Sequence, residues 1–280
     1  MKVVCLVPVR NKAFFVEQTV KSTLCQTYEG MEILLSDQGS TDNSLEILTR
    51  MASEYHGPNK VRVLQCPYVD NVGLNGFNVH IDWLMTQTDA DLIIIVSADD
   101  LNHPDRVKRS VEVYQEHRPS FLGTKMQFLK PDGTYEGSTA FDPKGSRFVT
   151  AREHIECLVG GSCSTAFDRD FYNKIGGLHG HLILDVYLPF LATLDRGFYM
   201  IDEELFAYIR HPKFDNAWLG GRLLAADNDD EKLLINELVG YQVCSTLYNA
   251  GRIAVNLYPD QWKDSDAWHV LYENIVNRAS

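Results

Sequence analysis

The sequence predicts an α/β protein of the Rossmann type, in which helices flank a mostly parallel central sheet. Strand and helix patterns alternate through the first half of the chain at the spacing of βαβ units. The run L-I-I-I-V at residues 92–96 is apolar without interruption, as is typical of a strand buried on both faces. Two adjacent carboxylates, Asp99 and Asp100, follow this strand, at the sheet edge where such proteins bind ligands.

The alternation begins at the N-terminus. Four strands are predicted, over residues 2–9, 31–36, 61–66 and 91–96. Each is followed by a predicted helix, over residues 14–26, 44–55, 71–87 and 104–116. The first helix places Phe15, Val16 and Val20 on one apolar face. Asp42 or Asn43 is the expected N-cap of the second.

The pattern changes after residue 118. A hairpin is predicted over residues 121–129 and 135–141, because the intervening K-P-D-G-T is typical of a turn. Helices are predicted over residues 152–159, 169–175 and 182–194, and two closing strands over 198–201 and 205–209. From residue 212 onward the pattern is mostly helical, with helices expected over 231–249 and 265–278. We therefore predict a main domain over residues 1–211 and a helical extension over 212–280.

Composition excludes several classes of protein. The 26 basic and 38 acidic residues give a net charge of −12, which argues against broad electrostatic binding to nucleic acid or anionic lipid. No segment reaches the length of a bilayer span, and the N-terminus lacks the pattern of a secretory signal. The six cysteines have no paired zinc-type spacing, so we expect reduced core thiols in a cytoplasmic protein.

The two carboxylates after the fourth strand leave two interpretations open. Adjacent carboxylates repel one another, and a divalent cation or a hydroxyl-rich ligand between them would relieve that repulsion. The alternative is a solvated turn that caps the helix beginning near Pro104. From this stretch alone, neither interpretation is favoured.

Several stretches of the chain carry the motifs of one family, in that family's order. They are P-V-R-N at residues 8–11, S-D-Q-G-S-T-D-N-S at 36–44, N-V-G-L-N-G-F-N at 71–78, S-A-D-D at 97–100, I-G-G-L at 175–178, L-D at 184–185 and Y-I-R-H at 208–211. Together they resemble glycosyltransferase family 2. The resemblance implies a GT-A fold, a nucleotide-sugar donor, and a magnesium or manganese ion that bridges the diphosphate to the acidic motif.

The resemblance also implies roles for individual residues. The nucleotide-sugar contacts would come from Pro8, Val9, Arg10, Asn11, Asp37, Gln38, Asn71, Gly73, Asn78, Ser97, Asp99, Asp100 and Arg210. Asp37 would accept a hydrogen bond from the base, commonly uracil, and the alternative for it is a simple turn cap. Asp99 and His211 would hold the metal, which would stabilise charge on the leaving oxygen.

Asp185 is the expected catalytic residue. The apolar segment around it, L-I-L-D-V-Y-L-P-F, should disfavour the charged carboxylate by desolvation, which suits a general base. A single displacement would then invert the anomeric configuration. The alternative is a buried acid that satisfies a neighbouring group. In this reading the extension over 212–280 shapes the acceptor site, for a saccharide or another hydroxyl acceptor, or forms a homo-oligomer interface.

Three positions depart from the family pattern. Gln38, Ser97 and Leu184 stand where acidic residues are common in the family, and their presence would change the recognition of the base, weaken metal binding or lower activity. One alternative function is glycosylation of modified bases in DNA, against which the negative net charge weighs. Another is a catalytically silent protein that binds nucleotide sugars or acts as a scaffold.

Overall fold

The computed structural model of the chain describes residues 1–70, 73–138, 143–157, 165–178, 182–210, 229–264, 269–271 and 273. These form one ten-stranded mixed sheet with helices on both faces. The strands are β1 (Val3–Val9), β2 (Glu32–Asp37), β3 (Lys60–Gln65), β4 (Leu92–Ile95), β5 (Leu101–Asn102), β6 (Phe121–Leu129), β7 (Tyr135–Ser138), β8 (Arg147–Val149), β9 (Thr165–Asp168) and β10 (Phe198–Ile209). The helices are α1 (Val16–Leu24), α2 (Ser44–Glu54), α3 (Gly73–Met85), α4 (Arg106–His117), α5 (Ala151–Cys157), α6 (Arg169–Lys174), α7 (Leu184–Leu194), α8 (Asp229–Leu257) and α9 (Pro259–Asp264).

The sheet has the strand order β3-β2-β1-β4-β9-β6-β10-β5. The first four of these strands pair in parallel, as the sequence predicts. Strand β9 lies antiparallel between β4 and β6, and β10 runs parallel to β6. Strands β1 to β4, β6 and β10 therefore all point one way, and their carboxyl ends meet at one edge of the sheet.

Strand β1 shows how the sheet is buried. Val4 and Leu6 face one apolar layer, which they share with α3, α7 and α8. Val3, Cys5 and Val7 face a second layer, formed with α1, α2 and α4. Since side chains alternate along a strand, both faces must be apolar when helices cover both.

Three short strands and one long one differ from the prediction. Strands β5, β8 and β9 were not predicted, because runs of two to four residues carry too little periodicity to read. The two predicted closing strands are one strand, β10, whose register with β6 shifts between Ile201 and Phe206. The polar residues Asp202, Glu203 and Glu204 occupy this irregular stretch, which explains why the apolar pattern breaks there.

The C-terminal helix α8 is longer than predicted and packs into the core. Val243, Leu247, Ala250 and Ala254 are buried in the apolar layer that also contains α7. The predicted division at residue 211 and the role of the extension stay predictions, because residues 211–228 lie outside the described part. Most of the helix predicted over residues 265–278 also lies outside the described part. None of the described helices is both long and apolar enough to cross a bilayer.

The expectation of core thiols holds for some cysteines only. Cys5 and Cys66 are buried and Cys244 is partly buried, all as free thiols. Cys25 is an exposed free thiol, so the expectation is wrong for that residue. It is the C-cap residue of α1.

Candidate active site

The loops that follow β1 and β2 are joined at the carboxyl edge of the sheet. The backbone N–H of Asn11 donates to Ser40 Oγ at 2.9 Å, and Asn11 Oδ1 accepts from the N–H of Thr41 at 2.7 Å. Asn11 has a φ of 51°, a left-handed conformation that Asn tolerates better than most residues. The side chain of Asn11 is therefore used to hold this edge together.

Asp42 extends the same junction. Its carboxylate accepts from the N–H groups of Ala13 and Ser44, each at 3.0 Å, and the N–H of Lys12 donates to Ser44 Oγ at 2.9 Å. Burial would raise the pKa of Asp42, but the hydrogen bonds from Ser44 and Ala13 outweigh it and lower that pKa. Asn43 occupies the N-cap position of α2 without a side-chain capping bond, so the capping bond comes from Asp42.

Asp37 lies at the end of β2 with its side chain buried. Its Oδ2 accepts from the N–H of Ser40 at 3.0 Å. Its Oδ1 is buried and has no hydrogen-bond partner among the described residues. A buried carboxylate oxygen without a donor is costly, so a ligand N–H at this place would be bound with a gain in free energy.

The loop after β3 is drawn across the ends of β1 and β2. Arg10 donates to the carbonyl of Val69 at 2.6 Å. The side-chain amide of Gln38 donates to the carbonyls of Tyr68 at 2.9 Å and Gly76 at 3.3 Å. Arg10 and Gln38, both expected to contact the nucleotide sugar, thus hold the loop after β3 in place.

Gly39 is required by this close approach. Its φ is +66°, and a Cβ placed on it would lie 2.7 Å from Val69 Cγ1. Only glycine adopts such a backbone without strain and leaves room for the neighbouring chain. The glycine between Gln38 and Ser40 therefore lets the third loop close over the second.

His80 contacts strand β2 next to Asp37. Its Nε2 and Ser36 Oγ lie 2.7 Å apart, and both side chains are buried. Burial, with a smaller effect from the charge of Arg10, lowers the pKa of His80 to about 4. His80 is therefore neutral near pH 7, and it holds the residue next to Asp37.

The acidic turn follows β4 as predicted. Asp99 Oδ2 forms an ion pair with Lys12 Nζ, and both side chains are largely shielded, at 23% and 22% exposed. Asp100 is 1% exposed, and its Oδ1 accepts from the N–H of Ile209 at 3.0 Å. Ser97 is partly buried, and its carbonyl accepts from the N–H of Asp100 at 3.3 Å. Asp99 therefore faces the ligand edge, whereas Asp100 ties the turn to β10.

A buried arginine lies beneath this turn. Arg106 is 1% exposed and donates to Asn102 Oδ1 and to the carbonyls of Ile95 at 2.9 Å and Thr165 at 3.3 Å. Its guanidinium also lies over the ring of Phe206, 5.1 Å from the centroid. Arg106 thus joins the end of β4 to the start of β9.

Asp185 lies in the first turn of α7 and is partly buried between buried residues. The segment before it is held by Asn78, whose amide donates to the carbonyl of Leu182 at 2.9 Å. Asn78 was expected to contact the nucleotide sugar, and its N–H group here positions the chain that leads to Asp185. Helix α7 is also tied to α8, since the N–H of Ile183 donates to Thr246 Oγ1 at 3.3 Å.

Arg210 follows β10 and lies against the β6–β7 hairpin. Its guanidinium is 4.4 Å from the ring centroid of Phe128 and 3.8 Å from a Glu136 oxygen. Gly73 begins α3. Asn71 and His211, predicted as donor and metal contacts, lie outside the described residues.

The structure thus brings one set of predicted residues to a single edge. Pro8, Val9, Arg10, Asn11, Asp37, Gln38, Ser97, Asp99 and Asp100 all lie at or just past the carboxyl ends of β1, β2 and β4. Lys12, His80 and Arg106 were missed, and Asp42 was expected only as an N-cap. Lys12 directly follows the P-V-R-N motif, and this was the signal available for it. Pairings such as Lys12 with Asp99, 87 positions apart, cannot be read from sequence.

Comparison with known proteins agrees with this arrangement. A family model for glycosyl transferase family 2 matches residues 4–176, more than half of the chain. An uncharacterized glycosyltransferase of Nostoc sp., alr2836, is 29% identical over 116 residues, which are 41% of this chain and 33% of the relative. The chain thus matches about a third of the length of this curated relative.

Two solved structures share the fold. TarS of S. aureus in complex with UDP-GlcNAc has a TM-score of 0.60 at 16% identity, with 99% of this chain and 89% of that chain covered. The mannosyltransferase PcManGT of Pyrobaculum calidifontis, in complex with GDP-Man and Mn²⁺, has a TM-score of 0.58 at 13% identity, with 99% and 87% covered. These likenesses confirm the predicted GT-A fold. With the family match over residues 4–176, they lead to one conclusion: the chain belongs to glycosyl transferase family 2.

Proposed function

We propose that this protein transfers a sugar from a nucleoside-diphosphate sugar, with UDP as the carrier, to a hydroxyl of a saccharide or glycoconjugate. Asp37 is the observation that carries the proposal. Its Oδ1 is buried at the ligand edge of the sheet and has no hydrogen-bond partner among the described residues. The N3–H of uracil is a donor of the kind that this oxygen lacks.

The spacing of the strands supports a nucleotide in this place. Strand β1 lies between β2 and β4, so the ends of β2 and β4 are separated by about two strand spacings, roughly 10 Å. A base held by Asp37 therefore leaves its diphosphate within reach of the turn that carries Asp99. TarS and PcManGT, with this fold, are described in complex with UDP-GlcNAc and with GDP-Man and Mn²⁺.

Asp99 fits a divalent cation as a single hard oxygen donor beside the diphosphate position. Among the described residues no three His, Cys, Asp or Glu side chains cluster as a metal site, so the remaining ligands would come from diphosphate oxygens, water and His211. When bound, such a cation supplies Lewis-acid stabilisation of the leaving diphosphate. Asp99 would hold it, while Asp100 keeps the turn attached to β10.

Asp185 would take the proton from the attacking hydroxyl. Its position in the first turn of α7, steadied by the Asn78–Leu182 hydrogen bond, gives the carboxylate a defined place between buried residues. Transfer of the proton to Asp185 as the new glycosidic bond forms, and the bond to diphosphate breaks, is a single displacement with inversion at the anomeric carbon.

The first experiment is a thermal-shift screen of nucleotide sugars with and without MnCl₂. A donor that binds the native state raises its apparent stability, so at least one UDP-sugar should raise the Tm, and more so with Mn²⁺. Slow hydrolysis of that donor is then followed in wild type, Asp185→Asn and Asp132→Asn. Asp132 lies in the exposed β6–β7 turn, so its replacement serves as the control.

We expect Asp185→Asn to retain the thermal shift and lose turnover by about 100-fold or more. Asp132→Asn should match wild type in both. A protein that shows no shift with any nucleotide sugar would rule out the proposed donor site. If the wild-type protein binds a donor but does not hydrolyse it, the protein is the catalytically silent nucleotide-sugar binding protein of the alternative interpretation.

A further inference from the structure

The carboxylate of Asp99 already has a positive partner. Lys12 Nζ pairs with Asp99 Oδ2, and each side chain is less than a quarter exposed. The pair joins the loop after β1 to the turn after β4, and the backbone of Lys12 is itself held to the start of α2, since its N–H donates to Ser44 Oγ at 2.9 Å. The backbone that carries Lys12 therefore belongs to the junction at the ligand edge, whereas its ammonium stands at the end of a flexible stem.

A divalent cation at Asp99 would bind the same negative carboxylate that Lys12 already neutralises. Two cations on one carboxylate repel one another, so binding of the divalent cation favours movement of the ammonium away from Asp99. Its four-carbon stem allows such a movement, and a nucleoside diphosphate brings new negative charge to this edge. Donor binding thus offers Lys12 another partner when it gives up Asp99.

We propose that Lys12 competes with the divalent cation for Asp99 and so makes tight cation binding depend on the nucleoside diphosphate. The inference rests on the proposed function, because it takes the donor site to be where that proposal puts it. Without nucleotide, Lys12 keeps cation affinity low. With nucleotide, the ammonium turns to the diphosphate and Asp99 becomes available to the cation.

The test measures Mn²⁺ binding from the EPR signal of free Mn²⁺, with and without UDP. Removing Lys12 should tighten Mn²⁺ binding in the absence of UDP by about tenfold, and the factor by which UDP improves Mn²⁺ affinity should shrink by a similar amount. By linkage, Mn²⁺ should improve UDP binding less in the variant than in wild type. The variants are Lys12→Met and, should that one fold poorly by thermal unfolding, Lys12→Gln. Lys12→Arg keeps the charge and should bind Mn²⁺ as weakly as wild type.

The chain offers a matched control for the loss of an ion pair. Lys125 and Asp202 pair at 3.0 Å with exposures of 22% and 24%, nearly the same as those of Lys12 and Asp99. Lys125→Met should leave Mn²⁺ binding unchanged, whereas Asp99→Asn should weaken Mn²⁺ binding in the presence of UDP.

The outcomes separate the two proposals. The inference is supported if Lys12→Met binds Mn²⁺ more tightly than wild type in the absence of UDP and Lys125→Met binds it as wild type does. If wild type binds UDP and Mn²⁺ through Asp99 but Lys12→Met and Lys12→Gln bind Mn²⁺ no tighter, the inference is overturned and the proposed function stands. If wild type binds no UDP at any Mn²⁺ concentration, the proposed function fails as well.

Discussion

The carboxylate of Asp100 accepts a hydrogen bond from the backbone N–H of Ile209 at 3.0 Å, across 109 positions of sequence. This bond joins the turn after β4 to the last residue of β10. The residues that follow Ile209 are Arg210 and His211, both expected to contact the donor or its metal. The two acids of the D-D pair therefore differ in their contacts: Asp99 pairs with Lys12 at the carboxyl edge of the sheet, and Asp100 holds the turn to β10.

Replacement of Asp100 by alanine should destabilise the protein by about 1–3 kcal/mol, because the N–H of Ile209 is left buried without its acceptor. Urea unfolding measures this change. Asp132→Ala, which removes an acceptor in an exposed turn, is the control and should cost little. An Asp100→Ala protein as stable as wild type would show that the bond contributes nothing to the frame.

Replacement of Asp37 by asparagine should weaken UDP binding by about 10- to 100-fold. Asparagine can still accept from the N–H of Ser40, but it loses the charge that strengthens a hydrogen bond to the base. Calorimetry with UDP and Mn²⁺ measures the change. Unaltered affinity would mean that Asp37 is a turn cap and no more.

Stability should fall between pH 7 and pH 5 because of His80. Its pKa is about 4 in the folded protein against 6.5 as the ordinary value, so the unfolded chain binds a proton in this window that the folded protein does not. The free energy of unfolding is therefore lower by about 2 kcal/mol at pH 5 than at pH 7. The loss reaches its full size only below the pKa of His80 in the folded protein.

Chemical denaturation at both pH values, in wild type and in His80→Gln, isolates this contribution. Acidic groups such as Asp42 and Glu153, whose pKa values are also lowered, contribute equally to both proteins. Equal pH dependence in the two proteins would show that His80 is not the group responsible.

Gly39→Ala should lower the free energy of unfolding by about 1–3 kcal/mol and weaken donor binding. Alanine is strained at the left-handed φ of this position, and its Cβ would clash with the side chain of Val69. Gly133→Ala is the matched control, since Gly133 has a φ of +84° but no atom near its Cβ. The difference between the free-energy losses of Gly39→Ala and Gly133→Ala measures the cost of the close approach to Val69 alone. Adding Val69→Ala to Gly39→Ala should recover some of that cost, because it removes the Cγ1 at 2.7 Å but keeps the Cβ at 3.0 Å. A double variant no more stable than Gly39→Ala would show that contact with Val69 is not the cause.

The sequence predicted the parallel half of the fold because its signals are local. The apolar run at residues 92–96 and the strand-like runs before it each specify one strand, and the helices predicted between them imply that the strands pair in parallel. Strand β9 escaped because T-A-F-D contains too few residues for a pattern, and its place depends on pairing with β4 and β6.

The candidate site was predictable to the extent that motifs mark residue types at strand ends. What the motifs could not show is which polar atoms are used within the protein. Gln38, Asn78 and Asp100 belong to the motifs, yet each bonds to backbone groups of another segment. Such partners are set by tertiary contacts between distant positions, and no spacing in the sequence encodes them.

The helix α8 makes this protein a poor subject for modular recombination. The family match ends at residue 176, but the apolar layer beneath the sheet is completed by α7 and α8, both beyond that point. A chimera that joined residues 1–176 to the C-terminal half of a relative would set Ile81 and Leu84 of α3 against foreign side chains. Exchange of the C-terminal half between relatives would therefore require the apolar residues of α3 that pack against it to be exchanged as well.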